Sequence, residues 1–345
     1  MKPSCKSNAP PRFWVGFSAC LVLMILVSAC STATTEPEAT QVVTQPTTAE
    51  PTATHTLDPT ATVTMVPTFT STPEPTSTNT PRPTATLDLK VPTREVLNPL
   101  EEGMVFVPAS EFQMGCDPDH NAGFSCNAIE APLHTVTLDA YYIDIFEVTN
   151  GQYARCVAAG ACEPPKNIKS ETRNYYFRNP LYYHYPVIYV DWNDAATYCA
   201  WMGKQLPSEA QWEKAARGPD LQAFPWGDED PSCNLMNGFD NATATLCVGD
   251  TSRVGAYPEG ASPYGAMDMS GNVYEWILDW YEDGYANVTE ELNPAGPLSG
   301  LYKVIRGGSW SDGWNFLRLA YRSKGSPFPS YYGNNIGFRC VYSEP

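Results

Sequence analysis

Two acidic residues flank a predicted turn in the stretch DMSGNVYEW, which runs from Asp268 to Trp276. Carboxylates and main-chain carbonyls are hard oxygen donors, the ligands that Ca²⁺ prefers in proteins. Asp268 and Glu275 could therefore bind one cation from the two ends of a folded loop. The same residues also permit a simpler arrangement, in which Asp268 caps a turn and Glu275 is solvated. The choice between these two arrangements depends on where the chain is located in the cell and on the elements that surround this stretch.

The N-terminal segment predicts export. Residues 2–12 are short and basic, and residues 13–30 form an apolar run that ends in Val-Ser-Ala-Cys. This order is typical of a secretory signal. The ending predicts a bacterial lipoprotein signal over residues 1–29, cleaved before Cys30, which then carries the lipid that anchors the chain to the membrane. The alternative is an uncleaved membrane anchor, because the apolar run approaches spanning length.

Composition divides the remainder into a stalk and a head. Residues 30–100 are mostly Thr, Pro, Ala, Ser and Glu, with too little apolar surface to offset the entropy of folding. Their prolines predict an extended spacer, whereas residues 101–345 are long enough for one domain. The expected location is the bacterial cell surface. The net charge of −17 argues against a nucleic-acid partner, because no basic surface would offset phosphate repulsion.

Eight cysteines lie in the head, an even number that predicts disulfides in an exported chain. The three pairs closest in sequence are Cys116–Cys126, Cys156–Cys162 and Cys233–Cys247. Cys199 and Cys340 are then left to each other, although spacing alone does not determine connectivity. No C-x-x-C motif occurs, so we do not expect a zinc ribbon or a thioredoxin-like site.

Regular elements are few and short. Capping signals and terminal glycines predict three helices, at residues 149–160, 191–203 and 208–218. Strand-like runs are also brief, at residues 104–109, 134–144, 303–310 and 336–342. The long irregular connections between them predict loops that have a function or are held by cross-links. Most tryptophans are expected to anchor the core and its loops.

Three runs together carry a family resemblance: VDWNDAATYCAWMGKQLPSEAQWEKAARG (190–218), YGAMDMSGNVYEW (264–276) and VIRGGSW…RLAYR…NNIGFRC (304–340). With FQMG at 112–115 and EVTNGQY at 147–153, their order resembles the formylglycine-generating enzyme, or sulfatase-modifying factor, domain family. The resemblance extends over residues 102–342. It implies an α+β fold, a variant of the C-type lectin fold, with a small antiparallel sheet, few short helices and long loops held by disulfides and calcium.

The resemblance also implies particular bonds and ligands. In this family a disulfide joins the cysteines at the positions of Cys199 and Cys340. In members that bind calcium, the ligands of one ion correspond to the side chains of Asp268 and Glu275 and the carbonyls of Gly271 and Val273. Asn234 and the Leu235 carbonyl match the start of a second site, for which Asp250 is a predicted further ligand. Calcium is therefore the expected cofactor.

One departure from the family bears on activity. The family's oxidases have two cysteines after the GGS-aromatic run, which bind copper and activate oxygen to oxidise a substrate cysteine. Here residues 311–322, SDGWNFLRLAYR, contain no Cys, His or Met. Ser309 remains, but Cu(I) requires soft sulfur ligands, so copper is not expected. No G-x-S-x-G or H-E-x-x-H motif indicates another hydrolytic chemistry.

Three functions are compatible with these features. The first is a noncatalytic module that binds an extracellular protein, peptide or glycan through loops rich in aromatic and small polar residues. The second is an oxidase of the formylglycine-generating type, and the third is a structural component of an envelope complex. The candidate contact residues are Ser309, Asp312, Trp314, Asn315, Phe316, Tyr331 and Tyr332. The alternative for Trp314 and Phe316 is that they pack the C-terminal loops.

Overall fold

Capping residues set the starts of the three longer helices. The computed structural model describes residues 103–285, 291–327 and 333–344, so Cys30, the predicted signal and the predicted stalk lie outside it. The α-helices are α1 (Asn150–Ala158), α2 (Trp192–Trp201), α3 (Glu209–Arg217) and α4 (Trp314–Leu317). Thr149, Asp191 and Ser208 accept hydrogen bonds from the third residue of α1, α2 and α3. These three helices confirm the prediction from capping signals.

Eleven short strands are formed within the described ranges. They are β1 (Met104–Val107), β2 (Ser110–Met114), β3 (His134–Leu138), β4 (Tyr141–Asp144), β5 (Phe239–Asp240), β6 (Thr245–Leu246), β7 (Tyr274–Trp280), β8 (Lys303–Arg306), β9 (Ser323–Gly325), β10 (Ile336–Gly337) and β11 (Val341–Tyr342). Three 3₁₀ turns add Ala128–Glu130, Pro180–Tyr182 and Pro258–Gly260. The predicted run at 134–144 is divided into β3 and β4, and 336–342 into β10 and β11.

The strands form four small sheets. One has the order β1-β4-β11 and is antiparallel throughout, and the second has the order β10-β7-β8-β9. In the second sheet the β10–β7 pair is parallel, a departure from the predicted antiparallel sheet, and the other pairs are antiparallel. Two-stranded sheets join β2 to β3 and β5 to β6. The α+β class with little regular structure is therefore confirmed.

Two hydrophobic cores lie on opposite faces of the β7–β8 pair. Ile277 and Val304 belong to one core, whereas Trp276 and Ile305 belong to the other. Successive side chains of a strand point to opposite faces, so both faces of this pair are buried. The C-terminal end of the Asp268–Trp276 stretch is thereby attached to the most buried part of the sheet.

Four disulfides hold the loops, and all four predicted pairs are confirmed. The bonds are Cys116–Cys126, Cys156–Cys162, Cys199–Cys340 and Cys233–Cys247. Cys199 lies on α2 and Cys340 directly precedes β11, so this bond joins segments 141 residues apart. Every cysteine of the described ranges is thus oxidised. Within those ranges, none of the helices combines the length and apolarity needed to cross a bilayer.

Candidate functional site

The loop from Asp268 to Glu275 is tightly curled and buried. Asp268 and Asn272 have φ values of 59° and 60°, and Gly271 has a φ of 90°. Gly271 donates its N–H to the Gly307 carbonyl over 2.8 Å. A Cβ at Gly271 would lie 2.5 Å from the Asn237 carbonyl oxygen, so only glycine allows this approach. The loop is thus a built, close-packed structure.

Glu275 is engaged by an arginine at the far end of the chain. Arg339 donates from Nε and Nη2 to the two carboxylate oxygens of Glu275, each over 2.7 Å. The Trp212 indole adds a third donor at 2.8 Å. Glu275 and Arg339 are both fully buried. The alternative arrangement, in which Glu275 is solvated, therefore does not hold, because protein donors bind the side chain in the interior.

Glu147 is a third buried carboxyl at this loop, and it was not among the predicted site residues. Its Oε1 accepts a hydrogen bond from Asn272 Nδ2 over 2.9 Å, whereas its buried Oε2 has no hydrogen-bond partner. Burial raises the pKa of Glu147 well above its ordinary value, and the charge of Asp268 adds to the effect. Burial also raises the pKa of Asp268 to about 6. The hydrogen bonds and positive charges around these two carboxyl groups are thus too few to offset the cost of burying their negative charges.

The charge balance of this cluster fits a cation. Asp268, Glu275 and Glu147 are three buried carboxyl groups, and Arg339 forms its ion pair with Glu275. Within the described ranges, no three His, Cys, Asp or Glu side chains are arranged to hold a metal by themselves. Main-chain oxygens such as the predicted Gly271 and Val273 carbonyls would have to complete the coordination, as calcium permits.

The residues predicted for a second calcium ion lie in different environments. Asn234 is exposed and Leu235 is half-buried, whereas Asp250 is buried. Asp250 Oδ2 accepts hydrogen bonds from Ser170 Oγ at 2.6 Å and Thr172 N at 2.8 Å, and Arg173 forms an ion pair with it at 3.0 Å. Although burial opposes the change, these hydrogen bonds lower the pKa of Asp250. Its carboxylate therefore has protein partners, and the second site stays a prediction.

Ser309 and Asp312 form the centre of a second polar cluster. Ser309 is buried, and its Oγ donates to Asp312 Oδ2 and lies 3.1 Å from Ser311 Oγ. Asn335 Nδ2 donates to the same Oγ over 3.3 Å. Burial raises the pKa of Asp312, although the bond from Ser309 opposes it. No His, Lys or Cys is among these contacts, so Asp312 is the group in this cluster that accepts the Ser309 hydroxyl proton in a hydrogen bond.

The segment after this cluster contains both aromatic and polar side chains, which differ in how far they are exposed. Phe316 is 39% exposed and its ring meets that of Tyr321 edge-on at 5.0 Å. Trp314 is half-buried against a small core that contains Phe224 and Leu317, so the packing alternative holds for part of its surface. Asn315 accepts a hydrogen bond from Arg318 Nε over 3.1 Å. We call residues Ser309–Phe316 the 309–316 face; Tyr331 and Tyr332 lie outside the described residues.

Two buried ion pairs hold the backbone that follows the 309–316 face. Arg318 donates to both oxygens of Glu130, over 2.8 and 3.0 Å. Arg322 pairs in the same way with Glu209, over 2.7 and 2.8 Å. Both arginines lie in the RLAYR run, and bidentate pairs of this kind fix orientation as well as charge. The run thus anchors the backbone that presents the 309–316 face.

Comparison with known proteins identifies the family that shares this architecture. Residues 90–344 match the sulfatase-modifying factor enzyme 1-like domain. The serine/threonine-protein kinase Pkn1 of Chlamydia trachomatis is 35% identical in an alignment of 256 positions that covers 70% of this chain and 38% of the kinase. The chain therefore spans little more than a third of that relative's length.

Two other matches cover most of their counterparts. The formylglycine-generating enzyme of Streptomyces coelicolor is 32% identical in an alignment of 283 positions that covers 69% of this chain and 88% of that enzyme. The solved structure of PvdO from Pseudomonas aeruginosa is 30% identical, with a TM-score of 0.57 over 70% of this chain and 94% of PvdO. The fold, the four disulfides and these matches agree, and the chain belongs to the sulfatase-modifying factor enzyme 1-like domain family.

Proposed function

We propose that the protein is a surface-anchored bacterial lipoprotein whose family domain is a noncatalytic binding module. The observation that carries the proposal is the oxidation state of its cysteines. All eight cysteines of residues 103–344 are joined in disulfides, so the described domain offers no thiolate. Since Cu(I) sites depend on soft sulfur ligands, the oxidase chemistry implied by the family resemblance has no metal-binding thiols here.

The 309–316 face is the proposed ligand surface. Its backbone is held by Arg318 and Glu130, while Ser311 and Phe316 are exposed. A preorganised face limits the ordering cost of association, and an exposed aromatic beside small polar groups can contact a protein, peptide or glycan. Calcium bound at the Asp268 loop is proposed to stiffen the neighbouring turn, because Gly271 is hydrogen-bonded to Gly307, two residues before Ser309.

A screen of glycans and peptides against the full-length chain tests this proposal. We expect capture that is reduced by chelator and by Phe316→Ala. Phe106→Ala provides a control, because Phe106 is also exposed, at 48%, but lies on β1. Binding that survives Phe316→Ala unchanged would exclude this face as the contact surface.

Similarity to the Streptomyces enzyme makes an oxidase the second candidate function. Copper binding and oxidation of a cysteine-containing sulfatase peptide by the full-length chain would establish it and refute the noncatalytic proposal. The third candidate is a structural role in the envelope. Recovery of a stable complex with other envelope proteins, after solubilisation in mild detergent, would favour that role over capture of a soluble ligand.

A further inference from the structure

A cleft of about 1180 Å³ opens beside the first turn of α1, and none of its described lining residues belongs to the 309–316 face. Its volume exceeds the roughly 300–1,000 Å³ of typical small-molecule sites, so it can accept a segment of a polymer. Apart from Gly103, its walls come from three segments that are distant in sequence: residues 144–155, residues 183–184 and residues 253–256. The fold therefore brings these segments together around one concave surface.

Hydrogen bonds join the three segments into one wall. The N–H of Gly151 donates to the Tyr183 carbonyl over 2.9 Å, and the N–H of Val254 donates to the His184 carbonyl over 2.9 Å. A Cβ added to Gly151 would lie 3.3 Å from the Cβ of Tyr183, so α1 packs directly against that residue. The wall is thus built before a ligand arrives, which limits the ordering cost of binding.

Two arginines belong to this wall. Arg155 follows Gly151 by four residues on α1, so the two lie on one face of the helix, about 6 Å apart along its axis. Arg253 directly precedes Val254, whose N–H is bonded to His184. Both arginines line the cleft and are exposed. Among the described residues, neither guanidinium forms an ion pair or a side-chain hydrogen bond, so both can bind a ligand.

The acidic residues that line the cleft are engaged by the protein. Asp144 Oδ1 accepts a hydrogen bond from Lys204 Nζ over 2.9 Å, and Asp144 Oδ2 accepts one from the Cys340 N–H over 2.9 Å. Glu147 is 1% exposed and accepts a hydrogen bond from Asn272. The unpaired, exposed charges of the two arginines are therefore positive in a chain whose net charge is −17. A cleft with such charges attracts anions.

The other groups of the cleft suit a sugar better than a peptide. Tyr183 is 41% exposed, and its ring and hydroxyl match the apolar face and the hydroxyls of a sugar. The aliphatic side chains on the described lining are those of Val254 and Ala256, so the cleft offers few apolar contacts to peptide side chains. Two arginines match a polymer of widely spaced charges, whereas duplex DNA carries one about every 1.7 Å.

We propose that this cleft binds an acidic polysaccharide, with Arg155 and Arg253 pairing with its carboxylate or sulfate groups and Tyr183 packing against a sugar ring. Arginine presents a planar fork of N–H donors that fits such groups. The proposed site requires neither ligand binding at the 309–316 face nor bound calcium.

Binding of defined hexasaccharides to the full-length chain in detergent tests the proposal, with isothermal calorimetry in the presence of chelator. The probes are a hyaluronan hexasaccharide, which carries carboxylates, a heparin hexasaccharide, which also carries sulfates, and neutral chitohexaose. We expect an acidic probe to bind and chitohexaose not to bind. Which acidic probe binds identifies the anionic group, and its affinity should fall as salt is raised, because exposed charges are screened.

Variants of the wall separate a specific site from general charge attraction. Arg155→Ala/Arg253→Ala should weaken binding of the acidic probe by roughly tenfold or more, and Tyr183→Ala by about threefold to tenfold. Lys169→Ala/Lys324→Ala is the matched control, because both lysines are exposed, neither lines the cleft and the double variant removes the same charge. It should keep wild-type affinity. Thermal unfolding verifies that each variant is folded.

Three results would overturn the assignment: equal binding of chitohexaose, wild-type affinity in the double arginine variant, or no binding of either acidic probe. An oligoglutamate peptide that binds more tightly than both acidic hexasaccharides would also overturn it, in favour of an acidic protein partner. Phe316→Ala should bind the acidic probe with wild-type affinity, so failure of the 309–316 face and failure of this cleft are distinguishable.

Discussion

Arg339 and Glu275 form a bidentate ion pair in which both side chains are fully buried and both N–O distances are 2.7 Å. Removing one partner leaves the other charge buried and unpaired. Arg339→Met is therefore expected to lower the free energy of unfolding by about 3–5 kcal/mol, measured by urea denaturation. Arg155→Met is the control, because Arg155 is exposed and its loss should change stability by less than about 0.5 kcal/mol. Equal effects would show that the pair contributes little.

The disulfides are expected to differ in their contribution to stability. Cys199–Cys340 closes a separation of 141 residues and Cys156–Cys162 one of 6. Loop-closure entropy predicts losses of about 5 and about 2 kcal/mol, respectively, when both cysteines of a pair become alanine. Chemical denaturation of the two double variants checks the order. A larger loss for the short loop would argue that packing of the buried sulfurs, rather than chain entropy, dominates.

Gly271 is expected to tolerate no side chain. Its φ of 90° and the Asn237 carbonyl oxygen, 2.5 Å from an added Cβ, both oppose alanine. Gly160→Ala is the matched control, since Gly160 has a φ of 73° but no atom within 4 Å of an added Cβ. We expect Gly160→Ala to cost about 1–2 kcal/mol and Gly271→Ala about 1–3 kcal/mol more, measured by thermal unfolding. Similar losses would show that the loop can move away from Asn237.

Asp279 predicts a pH dependence of stability. Burial raises its pKa from 3.8 to about 7, and the charge of Glu209 adds to the effect. Because the folded-state pKa is the higher one, the folded chain holds a proton that the unfolded chain releases. The contribution of Asp279 to stability is therefore present below about pH 4 and is lost as pH rises through about 7.

Asp279→Asn should flatten this dependence. We expect the wild-type chain to lose stability relative to Asp279→Asn between about pH 4 and pH 7, the interval between the unfolded and folded pKa values, by on the order of 1.4 kcal/mol per unit of pKa difference. Asp283→Asn is the control, because the Asp283 side chain is 78% exposed. Parallel stability curves for wild type and Asp279→Asn would show that Asp279 titrates at its ordinary pKa.

The sequence predicts correctly the three longer helices, because each begins beside a capping residue that can be recognised in the sequence. The helices at Asn150 and Glu209 follow Thr149 and Ser208, whose side chains accept from the N–H three residues on. The three cysteine pairs closest in sequence form as proximity predicts, whereas Cys199–Cys340 was the remaining pair and the one that the family resemblance implies. Strand β7 was not predicted. Its sequence YEWILDW shows no alternation of apolar and polar residues, because both faces of the strand are buried.

The site was predicted only in part because its partners are distant in sequence. Asp268 and Glu275 are recognisable as a pair within one loop. Arg339, which binds Glu275, is 64 positions away, and Glu147, which accepts a hydrogen bond from Asn272 of the loop, belongs to the segment before α1. Their charges were visible in the sequence, but only the folded chain shows which carboxyl receives the arginine and which is left without a donor.

Strands β1 and β11 flank β4 on its two sides, so the chain enters and leaves the described part of the domain through the two edge strands of one three-stranded sheet. A unit with this arrangement can be inserted into a loop of a larger polypeptide without stretching its host. Such a unit can equally be tethered through one strand, because the other edge strand of the same sheet then lies near the point of attachment.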